Sequence, residues 1–397
     1  MTVVSLTLEQ GLLKIRSGSN GLRLNRGLHA SDFNRFTQWS NSYLAALGSE
    51  SNPHTLREIG REMREWLEGG ENCLERVLNA VEPPLLLEFR SCKDQSGARS
   101  FLDAPWELVA DEYGHWAARD SLVYCPVRRI GRCGAENSPS PFRLTTMFMA
   151  AAPNGVGGLR FEDEEIAILE ATRDIGMRLV VEESGTLRLL RARVVEEKPD
   201  VVHISCHGAL RPQPALLLED EFGDSSSATA QEVARALAGQ MPRLLFLSAC
   251  QTAITDDIVS SLVWSLVRSA APAVLGWAGS VREHEAADFA RFLYRRLAEG
   301  EPLAQAVAYA RLELLSPKAG RPLAPTGGQS RDWHRARLYL GPTGGDVLAT
   351  GKQGRQRGPC GYAFKAFLDR QKQEVPGWPF GIRWPPAPTA INPARIQ

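Results

Sequence analysis

The sequence predicts an α/β protein built as three layers, a mostly parallel central sheet with helices on both faces. Beyond residue 142, apolar strand-like runs at 144–151, 179–181, 201–205, 244–248 and 273–277 alternate with helical patterns at 162–173, 186–197, 230–238, 257–268, 283–298 and 303–315. Parallel strands need a long crossover connection, and helices of these lengths supply one. The strand runs are apolar almost throughout, as strands covered on both faces are. A chain of 397 residues has ample length to bury such a core without disulfides or structural metals.

Taken in order, the elements divide the chain into four segments. Residues 1–82 form a strand and helix region. Between Val3 and Leu24 apolar residues tend to alternate with polar ones and Gly18 to Gly21 supplies turn chemistry, which predicts a hairpin. Ser31 and Asp32 open a helical pattern running to Leu47, repeated at 56–67 and 73–81. Residues 83–141 begin a second sheet-like region with strand signals at 84–89, 105–109 and 121–127, closed by a Gly/Ser/Pro-rich linker at 131–141. Residues 142–345 carry the alternating pattern. Within them Leu216 to Leu218 and the polar stretch Glu219 to Asp224 interrupt the alternation, as loops bordering a site do. Residues 346–397 are basic at first and then crowded with Trp378, Trp384 and prolines, so apart from a helical pattern at 364–374 they read as a disordered tail. The tail is either the stump of a longer chain or an extension without a fold of its own.

The formal net charge is +0, so no global field draws the chain to nucleic acid or to an anionic membrane. Seven cysteines, odd in number and scattered, do not form a secreted disulfide framework. The start lacks a basic region followed by a long apolar stretch, and no run approaches the ~18 apolar residues of a membrane span. These features predict a cytoplasmic protein with reduced thiols that recognises its partners locally.

Two apolar runs stop at reactive side chains, Val201-Val-His-Ile-Ser-Cys-His-Gly208 and Leu244-Leu-Phe-Leu-Ser-Ala-Cys-Gln-Thr252. In open parallel sheets the carboxyl ends of strands form the ligand crevice, which puts His207 and Cys250 in one cleft. A thiol of ordinary pKa is only partly ionised at neutral pH, and an adjacent imidazole can take its proton and later give one to a leaving amine. Gly208, without a side chain, lets a substrate carbonyl approach its N–H, which with the N–H of Cys250 makes an oxyanion hole.

These stretches resemble the CHAT domains, caspase-like peptidases of clan CD associated with HetF and tetratricopeptide repeats. The likeness covers roughly residues 85–341 and includes Ala104-Pro-Trp-Glu-Leu108, His203-Ile-Ser-Cys-His-Gly208, Leu247-Ser-Ala-Cys-Gln-Thr252, Ala273-Val-Leu-Gly-Trp277, Phe289-Ala-Arg-Phe-Leu-Tyr294, Leu303-Ala-Gln-Ala-Val307 and a closing strand from Trp333 to Gly341. Caspase signatures place a histidine about 50 residues before an Ala-Cys motif, and here His207 precedes Cys250 by 43 residues. The resemblance implies a caspase-like catalytic half, residues 142–345, preceded by a degenerate half that supports it. It implies Cys250 as nucleophile, His207 as base, Gly208 and Cys250 as oxyanion donors, and no metal or other cofactor.

Metacaspases, which cut after basic residues, carry aspartate two positions before the nucleophile. That position here is Ser248, so the same route to basic specificity is not implied, and Asp256, Asp257 and Asp220 are the nearest acids for a pocket. By analogy Gly276 aligns the substrate backbone by strand addition, with Trp277 walling the pocket. The implied function is an endopeptidase making limited, regulated cuts in protein partners in bacterial signalling or immunity. The family's activation of pore-forming gasdermin-like proteins is one such case, and an activating partner or sensor protein is expected to order the loops near 208–229 and 251–257. The alternative is a non-catalytic caspase-like scaffold or sensor.

Other features have structural explanations. Alternation along the strand sends Cys206 to the face opposite His207, into the core. His203 lacks a Cys/His pair at zinc-ligand spacing. The acidic run Glu162-Asp-Glu-Glu165 sits where a helix begins and suits the positive end of its dipole. Trp106 and Glu107 match the family, and a tryptophan among apolar neighbours reads as core.

Overall fold

The computed structural model describes residues 1–18, 21–48, 53–79, 81–92, 97–134, 137–156, 161–209, 213–251, 258–315, 330–345 and 347–351. The first strand, β1 (Thr2–Glu9), alternates in burial residue by residue, with Val4, Leu6 and Leu8 inward. It turns through Gln10 and Gly11, both at positive φ, into β2 (Leu12–Ser17), which pairs antiparallel with β3 (Arg23–Gly27). Positive φ at both loop positions is the two-residue hairpin geometry that matches strand twist. The predicted hairpin is therefore a three-stranded meander, and its first turn lies earlier than the glycines suggested.

Helices α1 (Ala30–Gly48), α2 (Pro53–Glu68) and α3 (Cys73–Leu78) follow, then β4 (Leu85–Ser91), α4 (Ala98–Asp103), a small ribbon of β5 (Ala110–Asp111) and β6 (Gly114–His115), and β7 (Tyr124–Ile130). β1 pairs parallel with β4, and β4 parallel with β7. The boundary drawn at residue 82 thus falls inside one continuous sheet. Trp106 anchors this half: it stacks on Phe89 at 4.1 Å and meets Phe36, Trp39, Trp66 and Phe101 edge-on or tilted.

The second half runs β8 (Thr145–Ala150), α5 (Phe161–Thr172), β9 (Arg178–Glu182), α6 (Leu187–Glu197), β10 (Val201–Ala209), β11 (Ala215–Glu219), β12 (Ser225–Thr229), α7 (Ala230–Leu237), β13 (Leu244–Gln251), α8 (Ile258–Arg268), β14 (Ala273–Trp277), α9 (Glu283–Ala298), α10 (Leu303–Leu315) and β15 (Ala336–Leu340). Among the described residues, 13 strands make one sheet in the order β12-β11-β10-β13-β14-β15-β7-β4-β1-β2-β3, with β9 and β8 branching from β10. Most pairings are parallel, as the alternating pattern predicts, and helices cover the sheet. The predicted polar excursion at 219–224 is the turn of an antiparallel hairpin, β11–β12.

The two halves meet where β15 runs parallel to β7 over Tyr339↔Arg128 and Leu340↔Arg129. Buried charges reinforce this narrow seam. Arg128 donates to both carboxylate oxygens of Glu107, at 2.6 and 2.7 Å, and Arg311 from α10 reaches the same carboxylate at 3.3 Å. Arg129 bonds Glu88 and the carbonyls of Gly341 and Gly344. The linker and the start of the tail pack together: Ser140 N–H donates to Leu348 O and Thr350 N–H to Ser140 O. Residues 347–351 therefore belong to the folded body, while 352–397 lie outside the described residues. Among the described residues no helix is long and apolar enough to cross a membrane.

Candidate active site

β10 and β13 lie side by side and parallel, in register from Val201↔Leu244 to Gly208↔Gln251. This register sets His207 directly opposite Cys250, at the carboxyl ends of two central strands. β8 accompanies β10 only as far as Ala150, opposite Ser205. Beyond that point β11 takes over, pairing Leu217 with His207 and Leu216 with Gly208. The histidine is thus held by strands on both sides and is 7% exposed. Cys206, fully buried, occupies the opposite face.

Two residues back along each strand stand Ser205 and Ser248, again opposite each other. Both donate to one carboxylate, that of Glu164 on the first turn of α5: Ser205 Oγ to Oε2 at 2.9 Å and Ser248 Oγ to Oε1 at 3.0 Å. Trp277 Nε1 donates in turn to Ser248 Oγ at 3.2 Å. His203 Nε2 lies 3.2 Å from Glu164 Oε1, its ring stacked on Phe246 at 4.3 Å and on Tyr294 at 5.8 Å. Burial first, and then the charge of Glu164, push the Tyr294 phenol well above its ordinary range. Glu164 is 4% exposed and Glu165 1%. Burial, with Glu162 and Glu183 nearby, pushes the Glu165 carboxyl up to about 8.

These contacts revise several expectations. The dipole explanation suits Glu162 and Asp163, which stay partly exposed, but not Glu164 and Glu165, which turn inward. Gly276 has no free edge for strand addition: it pairs with Leu247 of β13 and with Arg337 of β15. Trp277 likewise pairs with Ala336, and its 1% exposed ring packs on Phe246 and Phe289. Asp220 does not line the crevice as a free acid, because its Oδ1 accepts the N–H groups of Phe222 and Asp224 and fixes the β11–β12 turn. Asp256 and Asp257 lie outside the described residues. Glu164, Ser205 and Tyr294 went unrecognised. The available signal was a polar residue two positions before each reactive one, on strands otherwise apolar.

A protein-family model for the CHAT domain matches residues 97–346. The chain belongs to the CHAT family. Its fold is a large, mostly parallel sheet flanked by helices. Caspase-1 from Spodoptera frugiperda is similar at 12% identity and a TM-score of 0.34, over 56% of this chain and 95% of that one. The Drosophila initiator caspase Dronc is similar at 8% identity and a TM-score of 0.30, over 54% and 86%. A chain of the Saccharomyces cerevisiae separase–securin complex is similar at 10% identity and a TM-score of 0.35; it covers 68% of the CHAT chain and 17% of its own length. No curated protein matches the sequence.

Proposed function

We propose that the chain is a cysteine endopeptidase that makes limited, regulated cuts in protein partners. The observation that supports this reading best is the register that sets His207 opposite Cys250 at the carboxyl ends of β10 and β13. The His207 imidazole takes the thiol proton of Cys250, and the thiolate attacks the scissile carbonyl carbon. The N–H groups of Gly208 and Cys250 receive the oxyanion as the carbonyl π bond opens. The intermediate collapses to a thioester as His207 protonates the departing amine. Water, deprotonated by His207, then hydrolyses the thioester and restores the thiol. Membership of the caspase-like CHAT family, which includes cysteine peptidases, agrees with this assignment. Bacterial signalling or defence is the setting we propose for it.

The test incubates the reduced protein and its Cys250→Ala variant with a proteome-derived peptide library and maps new termini by mass spectrometry. Cuts made by the unmodified chain alone support the assignment. A second arm treats Cys250 with an alkylating peptide probe. If Cys250 reacts no faster than the exposed Cys133, and His207→Ala leaves its rate unchanged, the dyad is inert and the fold serves as a scaffold.

A further inference from the structure

The carboxylate beneath the dyad points to a substrate class, an inference that rests on the peptidase reading above. We infer that Glu164 forms the floor of the pocket that receives the residue before the scissile bond, and that it selects a basic side chain there, arginine or lysine.

Position comes first. Ser205 and Ser248 stand two residues before His207 and Cys250, one pleat repeat of ~6.6 Å along the strands. Glu164 is held at that depth by both hydroxyls. A lysine or arginine side chain extended from a peptide at the level of the dyad reaches that far; a short side chain does not.

Charge comes second. Among the described residues no arginine or lysine lies within ion-pair distance of Glu164, and its ionisable neighbour at that distance is His203. A buried carboxylate without a full counter-charge is costly, and an entering guanidinium or ammonium supplies one.

Hydrogen-bonding capacity comes third. Each serine directs its one hydroxyl proton at Glu164, so acceptor capacity remains on both Oγ atoms, although Ser248 Oγ, which already accepts from Trp277 Nε1, has a single lone pair left. The Tyr294 hydroxyl, fully buried near the same carboxylate, has no hydrogen-bond partner among the described residues. Carboxylate, two hydroxyls and a phenol form a set rich in acceptors, which matches a cationic group carrying several N–H donors. Asp220, committed to its own turn, does not compete for this role.

The test is binding to the full-length Cys250→Ala protein, so that it does not depend on turnover. Fluorescent peptide pools, randomised except for one fixed position, are compared by polarisation: arginine against its neutral isostere citrulline, and lysine against acetyl-lysine. The basic pools are expected to bind at least tenfold tighter, and adding Glu164→Gln is expected to bring each ratio close to one. Equal binding of basic and neutral pools, including none for either, overturns the inference, and that comparison needs no Glu164 variant to fold. The library digest separates the two readings. Cuts after neutral or acidic residues leave the peptidase and remove the basic pocket; selective binding without cuts leaves the pocket and removes catalysis.

Discussion

Glu165 makes the stability of this protein depend on pH in a direction opposite to that of an ion-paired carboxylate. Its side chain is 1% exposed, and its Oε1 has no hydrogen-bond partner among the described residues. Burial and the neighbouring Glu162 and Glu183 raise its carboxyl from 4.5 to about 8. Between those values the folded chain holds a proton that the unfolded chain has lost, so stability falls as pH rises through this window. The contribution is fully present below 4.5 and lost above about 8. At ~1.4 kcal/mol per pH unit the span sets a ceiling of ~5 kcal/mol, and local relaxation around the new charge should leave on the order of 2–3 kcal/mol. Glu165→Gln keeps the shape and removes the titration. With an unfolding entropy of ~2.1 cal/mol/K per residue, a chain of this length shifts its melting temperature by roughly 1 °C per kcal/mol. Melting curves at pH 5.5 and pH 9 should therefore show the variant spared about 2–3 °C of the loss that the parent suffers. Parallel losses in the two proteins, or a variant that falls further at pH 9, would refute this account.

Three further expectations concern the frame that carries the site. Glu107→Ala leaves Arg128 and Arg311 buried without their shared carboxylate; a loss of about 3–5 kcal/mol is expected, read as a drop in melting temperature that Glu107→Leu reproduces. Trp106→Ala opens the aromatic cluster around Phe89 and Phe101 and should cost about 3–5 kcal/mol, with near-ultraviolet dichroism reporting loosened packing. Thr229 and Glu232 form a reciprocal capping box on α7, so Thr229→Ala should weaken the helix by about 1 kcal/mol, seen as faster amide exchange over residues 230–234 with little change elsewhere.

The sequence was most legible where amphipathic periodicity and end signals agree. The predicted bounds of α9, α10 and β14 coincide with those of the structure. β12 escaped because Ser225-Ser-Ser-Ala-Thr229 is an edge strand with its serines in solvent, and so lacks the apolar run that marks a central strand. The pairing of β1 with β4 joins segments more than seventy residues apart, and no local pattern reports it. Within the site, the reactive pair was visible because each member ends an apolar run. The acid beneath them was not. Four consecutive carboxylates open α5, and which of them faces inward depends on how the helix rotates as it packs against α9, a tertiary choice that leaves no mark on composition.

The place of β15 in the sheet has a consequence for how the protein is made. It is the last strand among the described residues, yet it lies between β14 and β7 in the interior, so the sheet cannot be joined until residue 340 has left the ribosome. Until then the nascent chain carries two unpaired strand edges, one on each half, and β7 is buried along its whole length in the finished protein. Such edges pair readily with other chains. A stop or a proteolytic nick between α10 and β15 would therefore do more than remove a terminus: it would leave two half-sheets facing each other across an empty slot, each a template for aggregation.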